Sequence, residues 1–109
     1  MKETEELSVL ADYSFDEKTL SIHPNDGYDL GLMTTEAVVR IFAACTMEEF
    51  QSGEVNHVFG NLHLSNDTKA GTCELSLRTA QKLGKPKKVR LYFDDSDGEK
   101  YGKIYVQPL

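Results

Sequence analysis

The chemistry-bearing side chains of this 109-residue chain are three histidines, two cysteines, eighteen acids and twelve lysines or arginines. His57 and His63 fall on one parity of a strand-like stretch, but that spacing corresponds to roughly 20 Å of strand. They meet on one metal ion only if Gly60 bends the chain sharply, and His23 stands apart from both. No metal site and no cofactor is expected. Asp95-Ser96-Asp97-Gly98-Glu99 has the acids of a calcium loop. Aligning Gly98 to that loop's glycine puts Phe93 and Ile104 at the first and last ligand positions, so a hairpin turn is the better reading. No serine sits in a nucleophile elbow, and no glycine-rich phosphate loop is present. Cys45 and Cys73 lack the short spacing of a zinc or redox pair. Both lie among apolar neighbours, which predicts small core residues and a reducing, cytoplasmic setting.

Charge is spread unevenly. Residues 1–60 carry twelve acids and three bases, and residues 61–109 carry six acids and nine bases. Arg78, Lys82, Lys85, Lys87, Lys88 and Arg90 concentrate the positive charge. They read either as a solvated loop and strand end or as a contact for phosphate. The overall charge of −6 argues against nucleic acid, which the acidic half would repel. A phosphate on a small ligand needs only two or three donors.

These residues need elements to position them. Residues 1–6 are charged with no apolar stretch behind them, so they read as a frayed tail and not a signal segment. The chain has no apolar run of ~20 residues, so no membrane helix is expected. Val9, Ala11, Tyr13 and Phe15 share one parity, and Leu20 and Ile22 follow with the same alternation, predicting a hairpin with Phe15 opposite Leu20. After the turn residues His23 to Gly27, Thr34 or Thr35 can cap a helix, with Glu36 in its first turn. Ala37, Val38, Ile41, Phe42 and Cys45 recur at helical spacing. Thr46 and Glu49 form a capping box, so the helix breaks or restarts there before Gly53 ends it. Val58, Gly60, Leu62 and Leu64 alternate, as do Cys73, Leu75 and Leu77, and then Val89, Leu91 and Phe93. Asp97-Gly98 predicts a two-residue hairpin turn, with Leu91 facing Ile104 and Val89 facing Val106. No internal repeat is visible. The expected fold is a single α+β domain over 1–109, an antiparallel sheet of about six strands in ββαββββ order packed around one main helix. Its outer sheet face would carry Phe59, His63, Tyr92 and Tyr105, which reads either as an oligomer surface or as tolerated half-exposure.

This order resembles the hot-dog fold, in particular its phenylacetyl-CoA thioesterase type. Val9–Ile22, Gly31–Phe50 and His57–Val106 correspond to that family's hairpin, glycine loop with central helix, and strand meander. Lys69-Ala70-Gly71-Thr72-Cys73-Glu74-Leu75 is similar to its entry to the third meander segment. Leu83-Gly84-Lys85 is similar to its glycine–basic turn, and Asp95-Ser96-Asp97-Gly98 to its last hairpin. The catalytic motif departs from the pattern. Met33-Thr34-Thr35 stands where the family has His-Gly-Gly, and no acid occupies the helix position near Arg40 to Phe42.

The resemblance implies a homodimer that binds a small acyl or aromatic ligand, an acyl-CoA among them, at the subunit interface. Gly31, Met33, Thr34 and Thr35 would contact it. Arg78, Lys82, Lys85 and Lys88 would meet its phosphates. Glu36 and Asp29 are the only nearby carboxylates, and Glu36 is the candidate for catalysis. The alternative is a non-catalytic acidic interaction module, an inhibitor, immunity or adaptor protein, whose first half faces a basic partner.

Overall fold

Glu36–Ala43 is a strand and not the core of a helix. Val38, Val39 and Ile41 are β-branched, which lowers helix propensity and suits a pleated surface. Ala37, Val39, Ile41 and Ala43 also alternate, so the apolar run fits both periods, and tertiary pairing decides between them. In the computed structural model, which describes residues 1–109, this strand is β4. The chain runs β1 (Lys2–Glu3), β2 (Leu7–Asp12), β3 (Thr19–Ile22), α1 (Pro24–Asp29), β4, α2 (Met47–Ser52), β5 (Val58–Leu64), β6 (Thr72–Ser76), α3 (Leu77–Lys82), β7 (Lys88–Asp94) and β8 (Lys103–Pro108).

The strands close into a seven-stranded barrel in the order β7-β2-β6-β3-β5-β4-β8, and β8 pairs back onto β7. β1 lies on the same edge of β7 as β2. Between them Thr4 turns inward, its N–H donating to Leu91 O at 2.9 Å and its hydroxyl accepting from Leu91 N at 3.1 Å. This fills the ladder across a bulge.

The barrel overturns the expected architecture. No long helix is wrapped by a sheet, so the likeness to the hot-dog fold fails, as does the six-stranded ββαββββ order. β2 and β3 do not form a hairpin. β2 runs parallel to β6, and β3 parallel to β5. β5 and β6 are likewise not neighbours in a meander, because β3 lies between them. The β7–β8 hairpin does form, but Leu91 faces Val106 and Val89 faces Pro108. The register is displaced by two residues, which keeps every side chain on its expected face. The displacement follows from a longer loop. Arg40, buried on the outer face of β4, donates from Nε to Tyr101 O at 2.9 Å and from Nη2 to the Asp97 carboxylate at 2.8 and 3.1 Å. That anchor draws Asp97 out of a tight turn.

The hydrogen bond from Arg40 holds the Asp97 carboxyl below its usual value. A depressed folded pKa contributes stability above the unfolded value, near 3.9, and that contribution is lost as pH falls through the lower folded value. Asp97→Asn should therefore flatten the acid limb. Urea midpoints measured from about pH 5 down to about pH 2.5 should fall less in the variant than in the wild type. Parallel curves would remove Asp97 from the acid response.

A two-fold relation runs through the barrel. Ser21 faces Glu74, and about this pair the partners exchange roles, with Leu20 facing Leu75 and Ile22 facing Cys73. Leu20 pairs with Leu62 as Cys73 pairs with Val9. β4 lies antiparallel on β5 as β7 does on β2. α1 and α3 both end in Leu-Gly with the glycine left-handed, at φ 75° for Gly31 and 82° for Gly84. The stretch from β2 to β4 and the stretch from β5 to β7 are thus two copies of one strand–strand–helix–strand unit. This repeat was not expected from the sequence, where the copies share little beyond Thr19/Thr72, Leu30/Leu83, Gly31/Gly84 and, in the last strand of each, Val39/Val89 and Arg40/Arg90.

The interior is filled from both copies by Leu20, Ile22, Val39, Leu62, Leu75 and Leu91, among others. α2 adds a second, smaller core outside the barrel. Its capping box is present as the spacing predicts, with Glu49 N donating to Thr46 Oγ1 at 3.1 Å and Thr46 N to Glu49 Oε1 at 2.9 Å. Phe50 from α2 packs on Phe42 and Tyr105, which point outward from β4 and β8. No helix is long and apolar enough to cross a membrane.

Candidate functional site

The richest grouping of polar chemistry lies where the β2–β3 loop meets α3. Ser76 caps α3 by accepting from Thr79 N at 3.0 Å. Within this helix Arg78 and Lys82 stand four residues apart, so they share a face. In the loop, Asp16 Oδ1 accepts from Lys18 N at 2.9 Å and from Thr19 Oγ1 at 3.0 Å. With Asp16 so engaged, Glu17 is the side chain turned toward α3. Lys82 Nζ donates to Glu17 Oε2 at 2.7 Å, and Arg78 Nη1 to Oε1 at 3.0 Å. The hydrogen bond from Lys82, aided by Arg78, holds the Glu17 carboxyl below its usual value.

Two hollows adjoin at Glu17 and Val58. One, of about 100 Å³, has Ile41, Ala43 and Val58 as its apolar wall and Asn56, His57 and Lys82 as its polar one. The other, of about 320 Å³, is lined by Phe15 and Asp16 and reaches Ser76 and Arg78. His57 Nδ1 lies 3.2 Å from Val55 O. A carbonyl only accepts, so Nδ1 is the donor in this contact. The ring stacks on Phe42 at 4.7 Å and meets Phe59 edge-on at 5.5 Å.

Of the residues singled out in the sequence, the fold brings Arg78 and Lys82 together at this cleft and places the others elsewhere. Lys88 points outward from β7 and lies 3.6 Å from Glu6. Lys85 follows α3 with φ 54°. Met33, Thr34 and Thr35 line a separate surface hollow of about 340 Å³ with Pro24, Tyr28 and Leu64, and Met33 is 82% exposed. Gly31 lies at a third hollow with Lys2 and Phe93. Glu36 opens β4 opposite His63. The helix start on which its catalytic expectation rested is absent.

The chain itself covers part of the aromatic face. Aromatic contacts run from Tyr101 through Phe59, His57, Phe42, Phe50 and Tyr105 to Tyr92. Tyr105 is buried and donates to Cys45 O at 2.6 Å. Tyr92 is half-buried beside it, and Phe59 stays exposed. Cys73 is fully buried, and burial pushes its thiol up to about 12, which leaves no thiolate for chemistry at neutral pH.

Part of the charge is answered internally. Glu3 faces Arg90, Glu6 faces Lys88, Glu17 faces Arg78 and Lys82, and Arg40 faces Asp97. Each pair joins the acid-rich half of the sequence to the base-rich half. Of the twelve acids in residues 1–60, Glu3, Glu6 and Glu17 are matched in this way.

Glu17, Asn56 and His57 are the members of the cleft that sequence reasoning did not place there. Asp16-Glu17-Lys18 falls in the turn of the expected hairpin between Phe15 and Leu20, and no local pattern records that it folds back on a helix so much later in the chain. Comparison of the chain with protein-family models, with curated proteins and with solved structures finds no match.

Proposed function

We propose that this barrel is a binding module for a small anionic ligand, a carboxylate or a phosphate, taken at the cleft between the β2–β3 loop and α3. The observation that carries the reading is the Glu17 carboxylate seated between Lys82 and Arg78, where the two hollows meet. It displays the contacts a ligand's anion would make, with charge-assisted bonds from two donors. The Ile41–Ala43–Val58 wall would take an apolar ligand body, and Asn56 and His57 Nε2 would orient it. Binding, and not bond-making, is the reading because the cleft's hydroxyls are committed. Ser76 Oγ donates to Thr79 Oγ1 at 2.9 Å within the α3 cap. The acyl-CoA role implied by a hot-dog dimer falls with that fold. The free thiols of Cys45 and Cys73 support a reducing, cytoplasmic setting.

Titration with acetate and, separately, with inorganic phosphate at low salt should shift the backbone amide resonances of 15–18, 56–58 and 76–82. The double variant Arg78→Gln/Lys82→Gln should weaken binding about tenfold, allowing for the solvent screening of both groups. The anion with the larger response identifies the ligand chemistry. Shifts confined to other surfaces, or binding that survives loss of both cations, would sink the reading.

A further inference from the structure

The β2–β3 loop has a twin. The loop between β5 and β6 is its counterpart under the two-fold relation, and their backbones match bond for bond. Asn61 N donates to Lys18 O at 2.7 Å, and Ser8 N donates to Gly71 O at 2.8 Å. Thr19 N reaches Asp16 O at 3.2 Å, and Thr72 N reaches Lys69 O at 3.1 Å. Phe15 N reaches Asp12 O at 3.2 Å, and Thr68 N reaches Ser65 O at 3.1 Å.

The fastening of the two tips differs. The β5–β6 loop is sealed from inside. Gly71 N donates to Asp26 Oδ2 at 2.9 Å, and Asp26 is itself buried on α1. Thr68, 2% exposed, lies 2.7 Å from Ser21 Oγ and donates to Glu74 Oε1 at 3.1 Å. In the β2–β3 loop none of these devices exists. Phe15 replaces Thr68, and Thr79, the counterpart of Asp26, is engaged by Ser76. The side-chain hydrogen bonds that tie this tip to the rest of the barrel are those of Glu17. Its partners are open to water, with Arg78 74% and Lys82 48% exposed. The tip lines the larger of the two adjoining hollows.

We infer that residues 13–17 form a latch over the cleft, held shut by Glu17 and released when another anion takes Arg78 and Lys82. What opens the latch rests on the anion-binding reading; whether it opens rests on the loop geometry alone. Ligand and latch then compete for the same two cations. The apparent affinity is set by the ligand's advantage over Glu17, because only the open fraction binds.

Amide hydrogen exchange tests this on the full chain. Glu17→Gln should speed exchange at Phe15 and Lys18 on the order of fivefold, as expected for losing two solvent-exposed pairs. Thr68 and Thr72 in the twin loop should be unchanged. Raising salt from about 0.05 to about 0.5 M should reproduce the effect in the wild type and add little in Glu17→Gln. Arg78→Gln/Lys82→Gln should open the loop without touching it, which guards against a loop-specific defect of the first variant. Acetate and phosphate should bind Glu17→Gln more tightly than the wild type. Unchanged loop exchange in Glu17→Gln overturns the latch. Anion binding at 76–82 that leaves loop exchange unaltered overturns it too. A loop freed by Glu17→Gln in a protein that binds neither anion keeps the latch and removes the anion-binding reading.

Discussion

Replacing Gly60 by alanine is expected to cost about 3 kcal/mol of stability, a large share of the roughly 5–15 kcal/mol available to a domain. Gly60 is buried on the inner face of β5, where the strand passes under the end of the β2–β3 loop. An added Cβ would fall inside contact distance of Lys18 O, 2.7 Å from its carbonyl carbon and 2.8 Å from Ile41 Cδ1. Backbone cannot swing aside as a side-chain tip can, and Lys18 O is held at 2.7 Å by Asn61 N. The loop must lift or the strand must shift, and either disturbs the β3–β5 ladder. Gly84 is the contrast. It is left-handed with nothing within 4 Å of an added Cβ, so Gly84→Ala should cost only the conformational strain of about 1–2 kcal/mol. Urea unfolding of both variants checks the pair. A Gly60→Ala midpoint equal to or above that of Gly84→Ala would show that the close approach relaxes without cost.

Lys103→Met should cost about 2 kcal/mol, and Lys103→Ala about 4 kcal/mol once the cavity is added. Lys103 projects outward from β8 but is 2% exposed, because α2 covers it. Its Nζ donates to Phe50 O at 2.7 Å and to Gln51 O at 2.8 Å, and it lies 5.0 Å from the centre of the Phe50 ring. A lysine is thus buried without a carboxylate hydrogen-bonded to it, its charge met by the carbonyl end of a helix. Methionine keeps most of the stem and avoids desolvating a charge, but leaves those carbonyls short of a donor. The two effects oppose, and the orphaned acceptors win because they are buried. The loss should appear as a lower thermal midpoint together with faster amide exchange at Gly53, whose N–H closes α2 on Glu49 O and Phe50 O. A Lys103→Met protein as stable as the wild type would mean that water reaches those carbonyls.

Local chemistry was legible in the sequence where it is self-contained. The Thr46–Glu49 box and the Gly53 stop mark α2, and alternation in 58–64 and 89–93 places the correct side chains inside. Glu36–Ala43 was misread because its apolar residues satisfy two periods, and the choice between them is made by β5 and β8, which lie later in the chain. Closure was hidden for the same reason, since parallel pairing between β2 and β6 leaves no turn signal. The cationic half of the site was visible as Arg78 and Lys82. Its carboxylate was not, because Glu17 reaches them only after the barrel has closed.

The two-fold relation also bears on how the chain reaches this state. Each parallel pairing within it, β2 with β6 and β3 with β5, takes one strand from each copy. Neither copy can complete its ladders alone, so the first becomes stable only when the second has arrived. Loop-closure entropy is spent before most contacts form, which places the barrel among the slow, high-contact-order folders of the millisecond-to-second class. A nascent first copy would display β3 with both flanks unpaired, so this chain's exposure to misassembly is greatest before its second half is made.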